Sequence, residues 1–306
     1  MQESGPQHGV GSGSAAASFH TRQHLDKVVS DLVTNGSIEI SVDSGHSTGI
    51  AAQKLPFGMA VYVPKLPRKK LQQNQALIHS LHSSGFDPVP HIAARQLESA
   101  RELEQFLTEV ANESAVHRVM LIGGDQPDPV GPFADSAAVL GSGILEGCGI
   151  REVDIAGYPE GHPRIAPKIL RKDLDNKLEI GFSRGLGINV ITQFSFVPSR
   201  VIEYCDELAH LAPDVPVYVG MAGPTTAMSL LKFARYCGVS ESLRALTSLG
   251  VKAAALACHT SPDEQINVLA RYCAGHEASS VIGVHIFSFG GFEASVQWMS
   301  EKFPHA

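Results

Sequence analysis

Residues 152–196 read EVDIAGYPEGHPRIAPKILRKDLDNKLEIGFSRGLGINVITQFSF, and the two ends of this stretch differ in kind from its middle. Val153 and Ile155 at one end, and Ile188, Val190 and Ile191 at the other, are β-branched residues in short apolar runs, which suit strands. Between them, 166–186 places Ile169, Leu170, Leu174 and Leu178 at helical spacing behind Pro167, a residue tolerated in the first helical turn. Strand, helix and strand in succession make one unit of a parallel sheet.

The same alternation extends in both directions. Apolar, β-rich runs occur at 37–42, 58–63, 87–94, 118–124, 152–157, 188–196, 216–222 and 280–289. Helical patterns lie near 20–34, 69–84, 96–113, 134–147, 166–186, 198–211, 226–237, 241–249, 263–274 and 292–302. Eight strands with intervening helices point to a single (β/α)8 TIM barrel with extra helices over residues 19–306. A flavodoxin-like or Rossmann sheet with a helical appendage is the alternative, but no G-x-G-x-x-G follows the first strand. The nearest string, Gly9 to Gly13, has no strand before it. Residues 1–18 are Gly-, Ser- and Ala-rich with little apolar surface to offset ordering, and are expected to be a disordered tail.

The chain has 306 residues, 43% of them hydrophobic and 18% charged, which excludes collagen-like, coiled-coil and wholly disordered classes. A net charge of −7 leaves no basic excess for phosphates, so nucleic acid is not an expected partner. Five cysteines without a CxxC pair fit free thiols of a reducing compartment. There is no membrane-length apolar run and no signal-peptide pattern, so the expected location is the cytoplasm.

In a barrel the active site sits at the C-terminal ends of the strands. Those ends carry Glu39, His91, Arg95, Asp125, Gln126, Tyr158, Glu160, His162, Thr192, Gln193 and Ser288. Glu39, between Ile38 and Ile40, is a general acid of raised pKa if it faces the barrel axis and a plain solvent carboxylate if it faces out. Asp125 follows Gly123 and Gly124, which let a ligand approach the backbone closely or simply make a turn. Gln193 has an amide that can pair with a heterocyclic amide edge or with backbone groups. The densest cluster is Gly157-Tyr158-Pro159-Glu160-Gly161-His162-Pro163, suited to a cofactor or a proton relay. His and Glu two apart lack further ligands at a diagnostic spacing, so no metal is expected.

With these residues assembled, the chain resembles methylenetetrahydrofolate reductase. The resemblance rests on Ser-Ile-Glu-Ile-Ser (37–41), Pro90-His91-Ile92, Gly124-Asp125-Gln126-Pro127, the run Ile155 to Pro163, Ile191-Thr192-Gln193-Phe194-Ser195-Phe196, and Gly220-Met221-Ala222-Gly223-Pro224. It implies a (β/α)8 barrel that holds FAD, an oxidoreductase of one-carbon metabolism that reduces 5,10-methylenetetrahydrofolate to 5-methyltetrahydrofolate for methionine biosynthesis. By the same resemblance Glu39 is the acid that protonates the folate nitrogen. Asp125 and Gln193 hold the pterin, with Asp125 stabilising developing positive charge. His91, Gly123, Gly124, Phe133 with Ala134, Tyr158 and His162 fall on flavin-contacting positions. NADH, NADPH or another donor supplies the electrons and a homo-oligomer is the expected assembly, in a short bacterial-type form without a regulatory domain. The alternatives are the same chemistry run toward oxidation of 5-methyltetrahydrofolate in demethylation, and a folate- or flavin-binding protein without turnover.

The chain departs from the family at four places, the first being Ser41-Val42-Asp43 where many members have Pro-Pro-Arg after the first-strand Glu. Gly123-Gly124-Asp125 stands where members have Arg-Gly-Asp, and 179–184 replaces a basic motif that contacts FAD. Arg95 and Arg184 are the candidates for the missing positive charge. Met228 aligns near the aromatic residue that stacks on nicotinamide or folate.

Overall fold

A computed structural model of the chain describes residues 12–40, 48–65, 70–237, 239, 261–276 and 279–304, with the side chains of 12–21, 227–228 and 236–237 outside that set. Its strands are β1 (Ser37–Glu39), β2 (Ala60–Val63), β3 (Asp87–Ala93), β4 (Arg118–Ile122), β5 (Glu152–Gly157), β6 (Gly187–Thr192), β7 (Val217–Ala222) and β8 (Val281–Phe287). They form one closed barrel in sequence order, all neighbours parallel. The ring shuts where Ser37 and Ile38 of β1 face His285 and Ile286 of β8. This is the (β/α)8 architecture that the strand count requires.

The helices among the described residues are α1 (Ser12–Thr34), α2 (Thr48–Lys54), α3 (Gln75–Ser83), α4 (Ala100–Ser114), α5 (Ser136–Leu140), α6 (Ile144–Gly147), α7 (Pro167–Ser183), α8 (Pro198–Leu211), α9 (Ala227–Cys237), α10 (Asp263–Gly275) and α11 (Phe292–Ser300). Local chemistry starts and stops several of them. The Ser99 hydroxyl accepts from the Glu102 amide at the start of α4, and the Glu102 carboxylate accepts from the Glu98 amide, so two orphan donors are satisfied together. Leu103, Phe106, Leu107 and Val110 then bury one face of α4 against the sheet. Prolines open α7 and α8.

The structure differs from the sequence reading in a few boundaries. Helix α1 begins at Ser12, inside the stretch expected as a tail, while residues 1–11 lie outside the described set. The helix expected over 134–147 is two, broken where Gly143 adopts a left-handed φ of 83°. Strand β6 stops at Thr192 rather than 196, and Phe194 leaves the sheet to pack with Ala222, Leu230 and Phe289. Helix α2 has no counterpart in the sequence reading, and the helix expected at 241–249 lies outside the described residues.

Strand alternation sorts the side chains. Ile38 and Ile40 enter the large core between strands and helices, so Glu39 between them faces the barrel axis. Tyr62, Val89, Met120 and Ile191 fill the middle of the barrel. Arg118, Asp154 and Asn189 lie toward the N-terminal ends of their strands, and Glu39 and His91 toward the C-terminal ends. Among the described residues no helix is long and apolar enough to cross a membrane.

Candidate active site at the C-terminal mouth of the barrel

Glu39 is the last residue of β1, and two strands away His91 points its Nε2 at the same space, 3.9 Å from Glu39 Oε2. Their side chains are 19% and 11% exposed. Burial pushes the Glu39 carboxyl up to about 7 and pulls the His91 imidazole down to about 4, because a charge on either has lost its water. At neutral pH His91 is therefore uncharged and Glu39 is close to half protonated. The buried His91 Nε2 has no hydrogen-bond partner within the protein. A buried polar atom left open in this way is a position for a ligand or a solvent molecule.

Beneath this pair, Ser37 and the His285 Nδ1 lie 2.8 Å apart, and His285 packs edge-on against Tyr62 and Phe287 with ring centroids 4.6 Å away in both cases. Burial, then His91 and Arg118, hold His285 well below its usual range, so the layer under Glu39 is also uncharged.

A second group forms where β4 and β5 end. Tyr158 and His162 meet edge to face at 5.4 Å. Burial, aided by Arg164, lowers the His162 pKa, and Asp125 pulls the other way, which puts the exposed Asp125 carboxylate within electrostatic reach of His162. Gly124 has a φ of 90°, and a Cβ there would press on Ala93 at 3.4 Å, whereas a Cβ on Gly123 would meet nothing within 4 Å. A flat ligand can thus approach the backbone at Gly123. Gln193 follows β6 directly, its amide nitrogen donating to the Gly157 carbonyl at 2.8 Å. Gly157 is itself required by close packing, since a Cβ would lie 2.8 Å from both the Tyr204 hydroxyl and Val190.

Arg95 bridges the loops at the mouth: its Nε donates to the Ala134 carbonyl at 2.7 Å and its Nη1 to the Gln126 carbonyl at 3.2 Å. Phe133 beside Ala134 is buried in the core. Arg184 does not belong to this site. It caps the C-terminal end of α7, three residues before β6 begins, and so lies at the opposite end of the barrel, bonded to Glu146 and the Gly141 carbonyl. The expectation that it supplies charge near a bound cofactor is corrected by that polarity of the βα unit. Met228 falls in the first turn of α9, and its side chain lies outside the described residues.

Between α7 and α8, adjoining Tyr158 and Gly161, opens a cleft of about 380 Å³. Its walls include Leu170 and Tyr204, the cations Arg171, Lys177 and Arg200, and the carboxylates of Glu160, Asp173, Glu203 and Glu207. Lys177 is 9% exposed and paired with Asp173 one turn away, and Arg171 is paired with Asp175 at 3.2 Å.

Part of the chain is similar to a methylenetetrahydrofolate reductase. The match, to methylenetetrahydrofolate reductase 2 of Saccharomyces cerevisiae, is 30% identical over 91 residues, 29% of this chain. The chain spans 14% of the length of that relative. No protein-family model matches the sequence. Among solved structures, an uncharacterized protein from Clostridium thermocellum that binds two copies of 5-methyl-5,6,7,8-tetrahydrofolic acid aligns over 92% of this chain and 98% of its own, with a TM-score of 0.56 and 13% identity. That likeness shows the shared barrel. Dihydropteroate synthase of Thermus thermophilus aligns over 87% and 91%, with a TM-score of 0.46 and 10% identity.

The sequence reading missed the polar group on the N-terminal side of the barrel interior. Asp154 accepts from Tyr62 at 2.6 Å, from Arg118 at 2.7 Å and from Asn189 at 3.0 Å. The signal was present as Asp154 between Val153 and Ile155, a charge at an axis-facing position of an apolar strand.

Proposed function

We propose that this chain is a reductase of the methylenetetrahydrofolate type, reducing 5,10-methylenetetrahydrofolate to 5-methyltetrahydrofolate with FAD as cofactor and NADH or NADPH as electron source. The single observation that carries the reading is Glu39: a carboxyl facing the axis at the catalytic end, held up to about 7 by burial, with no cation beside it among the described residues. That is the state a general acid needs at neutral pH.

The residues present fit a flavin. The open His91 Nε2, the unobstructed backbone at Gly123 and the Tyr158–His162 pair offer polar and planar contacts to a ring system. Arg95 and Ala134 border it, and the cleft beside Tyr158 has room for the nucleotide arm. When bound, the flavin supplies hydride.

The remaining chemistry belongs to the chain. Glu39 gives its proton to the folate nitrogen as the five-membered ring opens, which makes the methylene carbon cationic and able to accept hydride. Asp125, near the mouth, stabilises that positive charge. The Gln193 amide, offering one donor edge and one acceptor, orients the pterin.

The test is to supply FAD to the purified protein, reduce it anaerobically and add methylenetetrahydrofolate while following the visible flavin bands. The expected result is reoxidation in the wild type, and in Glu39→Gln a retained flavin spectrum with reoxidation slowed at least about 100-fold. A protein that binds no flavin, or a Glu39→Gln variant as fast as wild type, overturns the proposal.

A further inference from the structure

The open nitrogen of His91 faces a carboxyl that must recover a proton after every turnover. We infer that His91 is the positioning residue that reprotonates Glu39, passing a solvent proton through its Nε2 across the 3.9 Å gap. The inference rests on Glu39 being the acid of the proposed reaction.

The geometry singles out His91 for this. Its Nε2 is buried and unbonded, and a separation of 3.9 Å is too long for a direct hydrogen bond yet short enough for a small movement or one intervening water to close. The other groups facing His91 do not serve. From β2, Tyr62 presents its ring edge at 6.0 Å and gives its hydroxyl proton to Asp154. From β8, His285 is bonded to Ser37. On β4 the residue paired with His91 is Met120, which does not titrate, and Arg118 is committed to Asp154.

The cycle balances. The neutral Glu39 carboxyl loses its proton to the folate nitrogen as the carbon–nitrogen bond breaks, and the hydride for the methylene carbon would come from a reduced flavin bound at the mouth. The new carboxylate, 3.9 Å from an imidazole in a water-poor site, strongly favours the imidazolium, so His91 takes up a proton from solvent. The imidazolium then gives its Nε2 proton to Glu39, and both groups return to neutral. One solvent proton is consumed per hydride transferred. Before turnover, burial keeps His91 uncharged, so it does not compete with Glu39 for the stored proton.

The experiment compares wild type, His91→Gln, His91→Asn and Glu39→Gln at pH 7 with saturating FAD. One measurement is the first anaerobic reoxidation of reduced flavin by methylenetetrahydrofolate. Another is repeated turnover with dithionite as electron source. The third is the ¹⁵N resonance of the His91 Nε2 in the flavin-free protein from pH 4 to 8. The inference expects repeated turnover to fall about 10- to 100-fold relative to the first reoxidation measured in the same His91 variant, and to regain part of that loss with added imidazole. It also expects the Nε2 resonance of His91, an uncharged imidazole throughout pH 5 to 8, to shift as Glu39 titrates near pH 7 in wild type and to show no such step in Glu39→Gln, the mark of a coupled pair. Unchanged repeated turnover in the His91 variants overturns the inference, as does an Nε2 signal that ignores Glu39→Gln. A loss of FAD affinity with normal turnover at saturation also overturns it, because His91 is then a cofactor contact only. Should Glu39→Gln itself reduce the folate at the wild-type rate, the reading of Glu39 fails and this inference with it, a result separable from failure at His91 alone.

Discussion

The two ends of the barrel interior hold similar side chains and treat them in opposite ways. Toward the N-terminal ends of the strands, Asp154 is fully buried and accepts from Tyr62, Arg118 and Asn189, while Arg118 also lies over the Tyr218 ring at 5.0 Å. Each charge there has its counter-charge and its hydrogen bonds. At the C-terminal end, Glu39 and His91 face each other without a hydrogen bond, both displaced from their ordinary pKa by burial. A satisfied network has nothing left to offer a ligand. An unsatisfied one lowers stability and keeps its chemistry available, which is where function is expected.

The largest effect that sharpens this contrast is expected at the satisfied end. Asp154→Asn leaves Arg118 buried without its partner and should destabilise the fold by about 3–5 kcal/mol in urea titration, whereas the double change Arg118→Met with Asp154→Leu should recover most of that loss. If the single change were as mild as the double one, the network would not be a closed electrostatic unit.

Next comes the open end, where the sign is reversed. A carboxyl raised from 4.5 to about 7 holds its proton more tightly in the folded state, so its burial has no cost below pH 4.5. Between pH 4.5 and 7 the cost grows, reaching about 3 kcal/mol above pH 7. Glu39→Gln should therefore stabilise the protein at pH 8 by up to about that amount and leave it unchanged at pH 4. For His91 the window runs the other way: with its pKa lowered from 6.5 to about 4, stability falls as pH drops through that interval, and His91→Gln should remove that part of the acid loss. Melting curves of both variants across pH 4 to 8 check the two signs independently.

Much of the fold was readable from residue pattern, and the reason is visible in β4 to β6. Short β-branched runs separated by amphipathic helices such as α4 and α7 leave few topologies once eight are counted. Glu39 was readable as a candidate because a lone acid between two isoleucines must face either the axis or the helices, and only packing could decide which. The pairing of Glu39 with His91 was not readable, since the two residues are 52 positions apart in sequence and meet across β2, which pairs with both of their strands. Asp154 and Arg118 escaped notice for the same reason: each looks like an isolated charge until the register of β4 on β5 brings them together. Arg184 failed because a basic residue near the right motif in sequence lies at the wrong end of its helix in space.

A smaller effect tests the boundary of the open site. Lys177→Met leaves the Asp173 carboxylate uncompensated in the cleft beside Tyr158 and should weaken FAD binding about tenfold, without changing the rate of folate reduction at saturating FAD; fluorescence titration of the flavin checks it. Smallest of all, Arg184→Ala should leave FAD affinity untouched and cost at most about 1 kcal/mol, since its ion pair with Glu146 is partly exposed and at the far end of the barrel. A loss of FAD affinity in that variant would place the cofactor where the fold does not allow it.

The account stands or falls on the protonation of Glu39. The most direct measurement is the rate of the first reoxidation of reduced flavin by saturating methylenetetrahydrofolate between pH 5.5 and 9. The expected rate is level on the acid side and falls about tenfold per pH unit above about 7, with that break absent in Glu39→Gln. A rate that breaks near the ordinary carboxyl value of 4.5, or one that shows the same break without Glu39, would contradict it.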